Sequence, residues 1–149
     1  MSEVLFYHLQ GRTLESVVSD LLEKSLERGW RAVVQTGSAE RRDALDSYLW
    51  TYREDSFLPH GTPADGEAEA QPVFLTDGPE NPNSANVRFL VDRAAVPDLA
   101  PYERVVFIFD GNDEQSIGDA RLRWREAKAA GHTVTYWKEN ERGGFTKMA

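Results

Sequence analysis

The chain has no cysteine among its 149 residues, so it can form neither a disulfide framework nor a thiolate metal site. It also lacks any apolar run that approaches the ~20 residues needed to cross a membrane. Its N-terminus does not show the basic region followed by an apolar region that marks a secretion signal. These absences favour a cytoplasmic protein that does not contact membranes.

Positive charge is scarce. The sequence has 17 Lys and Arg against 25 Asp and Glu, which gives a formal net charge of -8. A protein this acidic is not expected to bind a nucleic-acid phosphate backbone strongly by itself, so any role with DNA is expected to be indirect. The remaining composition, with 40% hydrophobic and 28% charged residues, is ordinary for one globular domain.

The usual catalytic and cofactor motifs are also missing. The first strand-to-helix turn, HLQGRTLE, has one glycine where a dinucleotide-binding turn needs three, and QTGSAERR is not a phosphate loop. The three histidines are far apart and form no metal-binding pair, and no serine lies in a nucleophile elbow. The sequence therefore predicts a binding module without cofactor, metal or catalytic residues.

One segment keeps an enzymatic alternative open. In FIFDGNDE, Asp110 and Asp113 follow a predicted strand, where carboxylates can hold magnesium for phosphoryl transfer. The same letters are explained by a strand end and a helix cap. The alternative function is thus a small Mg-dependent hydrolase or phosphotransferase using these two carboxylates.

Hydrophobic periodicity predicts strands that alternate with helices. The predicted strands are 3–9, 30–35, 73–76, 87–91, 104–109 and 132–138. Helices are predicted from the cap Thr13 to Gly29, from the cap Ser38 to about Trp50, and over 113–131. The second helix is expected to bury Ala44, Leu45, Tyr48 and Leu49.

Such alternation predicts an α/β fold of Rossmann-like, three-layer type, with a mostly parallel central sheet flanked by helices. The domain is expected to span residues 1–138 as a single unit. An acidic stretch, 65–69, is predicted to lie in a surface loop, and residues 139–149 are predicted to be a flexible tail.

The last predicted helix concentrates the scarce positive charge around an indole. At ~100° per residue, one stripe of this helix carries Ile117, Arg121, Trp124, Arg125 and Lys128. Cations beside a large aromatic suit a ligand that is both anionic and apolar. The alternative is that Trp124 belongs to the core and the arginines only solvate their helix.

Three segments in fixed order carry a family resemblance: VLFYHL, LDSYLWTYREDSFLPHG and ARLRWREAKAAGHTVTYWK. Together they resemble the chi subunit of the bacterial DNA polymerase III clamp-loader complex, over nearly the whole chain to about Lys138. The resemblance implies a non-enzymatic adaptor with a Rossmann-like fold. Such subunits connect the polymerase holoenzyme, through the psi subunit, to single-stranded DNA-binding protein.

The resemblance also implies roles for particular residues. The basic helix of the family binds the acidic C-terminal tail of single-stranded DNA-binding protein, which ends in phenylalanine. Here Arg121, Arg125 and Lys128 would meet the carboxylates of the tail. Trp124 would form one wall of the pocket for its terminal ring. Phe109 or Ile117 would supply another wall.

A second patch resembles the segment through which chi subunits meet psi or a helicase-type partner. Its residues are Trp50, Phe57, Leu58, Pro59 and His60. Alternatively, Trp50 and Phe57 complete the core beside the second helix. A third possibility for the whole protein is a scaffold whose basic helix contacts some other acidic protein.

Overall fold

In the computed structural model, which describes residues 2–52 and 58–149, seven strands form one sheet with three α-helices packed on it. The strands are β1 (Glu3–Leu9), β2 (Ala32–Gln35), β3 (Val73–Thr76), β4 (Val87–Leu90), β5 (Arg104–Asp110), β6 (Thr133–Glu139) and β7 (Phe145–Lys147). The helices are α1 (Leu14–Glu27), α2 (Ala39–Thr51) and α3 (Glu114–Ala129). The acidic stretch holds two exposed 3-10 turns, Pro63–Asp65 and Ala68–Ala70.

The strand order is β3-β2-β4-β5-β1-β6-β7, and every neighbouring pair is parallel except β6 and β7. A mostly parallel sheet with helices on both faces confirms the predicted α/β class. In the dinucleotide-binding Rossmann sheet the first strand lies between the second and the fourth. Here β1 lies between β5 and β6 instead.

Local chemistry sets the helix ends as the sequence predicts. The Thr13 hydroxyl accepts the N–H of Ser16 at the start of α1, and the Ser38 hydroxyl accepts the N–H of Arg41 at the start of α2. After α1 the chain turns at Gly29, whose φ of 79° is the left-handed conformation that glycine adopts without strain.

The predicted burial of Ala44 is wrong, because this side chain is exposed. Helix α2 packs at the margin of the sheet against the edge strand β3, so its apolar stripe is narrow. It buries Leu45 and Leu49, and Tyr48 is only half-buried.

The sheet separates two hydrophobic layers. Helices α1 and α2 cover one face through residues such as Val18, Leu22 and Leu49, and α3 covers the other through Ala120 and Ala127. Side chains of a strand point alternately to the two faces, so Phe6 of β1 lies under α3 while its neighbour Tyr7 lies on the opposite face. No helix in the described ranges is long and apolar enough to cross a membrane.

Part of the segment predicted as a flexible tail forms a strand. Residues 145–147 form β7, antiparallel to β6, after a turn in which Gly143 has a φ of 79°. The N–H of Met148 donates to the carbonyl of Tyr136 at 2.8 Å, so the pairing continues past β7. The sequence offers only short apolar runs here, and the pairing partner rather than local propensity makes the strand.

Among the residues that the structure describes, Arg88 is the largest fully buried side chain, and it lies on the α3 side of β4. Its guanidinium donates to Gln35 Oε1 at 2.5 Å, to the carbonyls of Gly78 and Glu80 at 2.7 and 3.0 Å, and to the Tyr102 hydroxyl at 2.9 Å. These acceptors belong to β2 and to the two loops that flank β4. Arg88 thereby holds those loops over the half of this face that α3 does not reach.

Replacing Arg88 by Met should lower the free energy of unfolding by roughly 2–5 kcal/mol, because several buried acceptors would lose their donors. Urea unfolding followed by fluorescence measures the change. Arg142→Met is the matched control, since Arg142 is exposed and its loss should change stability by about 0.5 kcal/mol or less. Equal stability of the two variants would contradict the role given to Arg88.

Candidate partner-binding cleft

A cleft of about 360 Å³ opens between α3 and the strands beneath it. Its floor comes from three adjacent strands, β5, β1 and β6. The floor residues are Phe6, His8, Phe109 and Tyr136. Its wall comes from α3. The wall residues that bear on recognition are Ile117, Arg121, Trp124 and Arg125. The stripe predicted from helical spacing, except for Lys128, therefore lines an open cavity, as does Phe109.

Trp124 contributes both to the core and to the cleft. It is half-buried, with its ring centroid 5.6 Å from that of Phe6 and 6.2 Å from that of Tyr136, nearly perpendicular to the latter. Edge-to-face packing of this kind fixes the indole plane. The two interpretations of Trp124 are thus compatible, since one part of the ring packs inward and the other part lines the cavity.

The cations of α3 divide between two sides of the helix. Arg121 and Arg125 are exposed and line the cleft, and in the part of the chain that the structure describes neither forms an ion pair. Lys128 does not line the cavity, but its Nζ lies 5.5 Å from the Trp124 ring centroid, a cation–π distance. Arg123 points away and pairs with Glu126 at 3.0 Å.

The polar groups of the floor are His8 and Tyr136, which hydrogen-bond to each other through His8 Nδ1 and the phenol. Burial lowers the pKa of His8, as does the charge of Lys138, against the opposing influence of Asp110 and Glu139. Burial also raises the pKa of Tyr136, although Arg121 opposes this. The floor is therefore uncharged near neutral pH, and positive charge is confined to the rim.

Sequence reasoning did not place His8 or Tyr136 in the cleft. A usable signal was the strand alternation, which sets Phe6 and His8 on one face. Which strands lie beside β1 depends on the sheet order, and spacing alone does not give that order.

A larger cleft of about 470 Å³ lies at the carboxyl ends of β1, β4 and β5, where α/β folds usually bind ligands. Its arginines, however, are paired with carboxylates of the chain. Arg41 lies 3.2 Å from Glu15 and 3.3 Å from Asp92, and Arg93 pairs with Asp119. A charged ligand would have to displace these carboxylates from their arginines.

Of the two carboxylates of the enzymatic alternative, Asp110 lines this larger cleft and Asp113 immediately precedes α3. Both make hydrogen bonds that are typical of turns. Asp110 accepts the N–H of Asn112 at 2.8 Å. Asp113 accepts the hydroxyl of Ser116 at 2.7 Å, and that bond is the main cause of the lowered pKa of Asp113. Among the described residues no three His, Asp or Glu gather in a metal-binding group. These contacts favour the strand-end and cap interpretation.

The first strand-to-helix turn already binds an anion of the chain itself. The N–H groups of Gln10, Gly11 and Arg12 each donate to the Glu139 carboxylate at 3.0 Å. Arg12 also donates to the carbonyl of Gly143 at 3.0 Å, which clamps the β6–β7 hairpin onto this turn. A phosphate at this turn would have to displace Glu139.

The second predicted patch centres on Trp50, which is 52% exposed. Its ring packs on that of His60, with the centroids 4.4 Å apart. The His60 side chain is buried, with Nδ1 2.7 Å from the carbonyl of Leu58 and Nε2 2.9 Å from Asp46 Oδ1. Leu58 is also buried, so both lie beneath the surface that Trp50 and the half-buried Pro59 present. Phe57 lies outside the described residues.

Fold and cleft together define an α/β protein with an aromatic cavity that has arginines along its α3 side. Residues 1–135 match the model of the family described as DNA polymerase III chi subunit, HolC. The chain therefore belongs to this family, whose members are accessory, non-catalytic subunits of DNA polymerase III. The resemblance drawn from the three sequence segments is confirmed.

A relative from Rickettsia prowazekii (strain Madrid E), named "Probable DNA polymerase III subunit chi", is 26% identical over 109 residues. The aligned part is 73% of this chain and 66% of the relative, so the chain spans just under two thirds of that protein.

Glu139→Gln should loosen the hairpin, because an amide cannot accept three N–H bonds as a carboxylate does. Burial raises the pKa of Glu139, but the donors Gln10, Arg12 and Gly11 and the charge of Arg12 together leave it lowered. A lowered folded pKa means that the stabilisation is present above the ordinary glutamate pKa and is lost as pH falls through the folded value.

Urea unfolding at several pH values tests this. The variant should be less stable than the parent near neutral pH, and the difference should shrink below about pH 4. Glu141→Gln, an exposed change in the same hairpin, is the control. A difference in stability that does not change with pH would contradict the proposed role of the Glu139 carboxylate in holding the hairpin.

Proposed function

We propose that this protein is a non-catalytic replisome adaptor. Its α3 cleft binds the acidic, phenylalanine-terminated tail of single-stranded DNA-binding protein and links it to the clamp loader of DNA polymerase III through psi or an equivalent partner. The single observation that supports this most is the open cavity in which Arg121 and Arg125 flank the half-buried Trp124. Such an adaptor would act in the cytoplasm, where the replisome assembles.

The chemistry of the cleft suits both ends of such a ligand. Arg121 and Arg125 offer planar, fork-shaped donors that match a carboxylate in two parallel bonds. The uncharged floor between Phe109 and Tyr136 suits an aromatic ring. A short tail loses conformational entropy when it binds, so we expect affinity on the order of micromolar.

The charge distribution supports a peptide rather than DNA as the ligand. The whole chain carries a net charge of -8, which repels a continuous phosphate backbone. The cations at the cleft are few and local, and in the described part of the chain they have no carboxylate of their own. A short acidic segment can reach them without approaching the acidic remainder of the surface.

Trp124→Ala and Arg125→Ala should each weaken binding of the tail peptide at least about tenfold, equivalent to about 1.4 kcal/mol, because the ring wall or a carboxylate partner is lost. Isothermal titration calorimetry with a peptide of acidic residues ending in phenylalanine measures the affinity. Arg123→Ala is the matched control on the same helix, since Arg123 pairs with Glu126 and points away from the cleft.

Two further titrations sharpen the result. Higher salt should weaken binding, because exposed ion pairs are screened. A peptide without its final phenylalanine should bind much less tightly. Equal binding of that peptide would indicate a scaffold for acidic proteins in general, and unchanged affinity in both cleft variants would refute the assignment.

The patch around Trp50 is proposed as the contact for psi or a helicase-type partner. An indole that is 52% exposed and rests on a buried histidine is a rigid anchor of the kind that interfaces favour. The membership in an accessory, non-catalytic family leaves the hydrolase alternative based on Asp110 and Asp113 without support.

Trp50→Ala should abolish co-purification of the psi or helicase-type partner while leaving the affinity for the tail peptide unchanged. Leu122→Ala is the control, since Leu122 is another exposed apolar side chain, 45% accessible, on α3. Loss of tail binding in Trp50→Ala, or retention of the partner, would exclude this patch as the separate contact.

A further inference from the structure

Cations without an acidic partner are not spread evenly over this acidic protein. Within residues 2–52 and 58–149, ion pairs engage Arg12, Arg41, Arg42, Arg93, Arg104 and Arg123. Apart from the buried Arg88 and the cations of β6 and the β6–β7 hairpin, the unpaired ones form two groups. One is at the α3 cleft. The other consists of Lys24, Arg28 and Arg31, at the end of α1 and in the turn that follows.

Two members of the second group, Lys24 and Arg28, border a groove of about 410 Å³ on the opposite face of the sheet from the α3 cleft. Arg31 instead donates to the carbonyls of Glu69 and Asn83 at 2.7 and 3.3 Å. The C-terminal half of α1 forms one side, with Lys24 and Arg28 at the mouth. The floor is apolar and comes from β1, β4 and β5. Of its residues, Leu5, Phe89 and Val106 are buried and Tyr7 is half-buried, beside the half-buried Leu21 of α1.

As on α3, cationic side chains here lie close to an indole ring. The Arg28 guanidinium lies 4.0 Å from the Trp30 ring centroid, and the Arg104 guanidinium lies 5.1 Å from it. Arg104 is held in turn by Glu3 at 2.5 Å. These contacts fix the direction in which the guanidinium groups point, so their charge is presented in a set geometry at the groove.

We propose that this groove docks an acidic, apolar segment of a partner protein. The unpaired positive charge at the mouth would meet carboxylates, and the floor would take aliphatic or aromatic side chains. A single nucleic-acid strand is disfavoured, because the net charge of -8 repels a continuous run of phosphates, whereas a segment with few carboxylates can meet Lys24 and Arg28 and avoid Glu27, which also lines the groove. The site is separate from the α3 cleft and does not depend on the function proposed for it.

Nuclear magnetic resonance titration of the full chain tests this, with the indole N–H signals of Trp30 and Trp124 as reporters of the two sites. The probe is a synthetic amphipathic peptide of glutamate and leucine. Saturable shifts of Trp30 are expected, and Arg28→Glu should weaken the fitted affinity at least about tenfold. Arg142→Glu, the same charge change at an exposed position of the hairpin, should leave it within about twofold.

Three outcomes would overturn the proposal. An absence of shifts at Trp30 would show that the groove does not take such a segment. Equal weakening of peptide affinity by Arg28→Glu and Arg142→Glu would show that the effect comes from overall charge and not from the groove. Shifts produced by an oligothymidylate but not by the peptide would assign the groove to nucleic acid. If the Phe-terminated tail peptide failed to shift the Trp124 signal, that result would contradict the proposed adaptor function and not the proposal for this groove.

Discussion

The candidate site depends on β1 lying between β5 and β6 in parallel register. In that register Phe6 pairs with Phe107 and Tyr136, and His8 pairs with Phe109. Because side chains alternate along a strand, their rings all emerge on the same face. Helix α3 packs on this face through the small residues Ala120 and Ala127, and the cleft lies beside its residues 117–125. The aromatic floor and the helix wall of the cleft follow from this one arrangement.

The pairing of charges within the chain, rather than cavity volume, distinguishes the two clefts as candidate ligand sites. The cavity at the carboxyl ends of the strands is larger, but Arg41 and Arg93 are engaged there by carboxylates of the chain, and Glu139 satisfies the first turn. Placing a ligand would first require breaking these contacts, which costs the interaction free energy of each. At the α3 cleft the arginines are exposed and unpaired in the described residues, so a carboxylate ligand replaces only water.

The sequence was sufficient for what depends on local periodicity. The helical stripe from Ile117 to Lys128, the caps Thr13 and Ser38, and the α/β class all follow from spacing and side-chain chemistry. It could not show that β1 neighbours β6, so Tyr136 was missed. Nor could it show that Arg88 is buried, since an arginine in VRFLV looks like a solvated strand residue. Long-range pairing supplies both features, and no local pattern encodes it.

The β6–β7 hairpin gives the cleft a component beyond the family match, which covers residues 1–135. Tyr136 supplies part of the floor, and its N–H donates at 3.3 Å to the carbonyl of Ala149, which borders the cavity. Glu139 fixes this hairpin to the turn before α1. The wall of the cleft that carries Trp124 thus belongs to the matched part of the chain. The opposite border of the cleft depends on the hydrogen bonds by which Glu139 holds the hairpin. The proposed carboxylate recognition at the rim therefore depends on residues inside the matched range, whereas the proposed ring pocket also depends on Tyr136 and the hairpin beyond it.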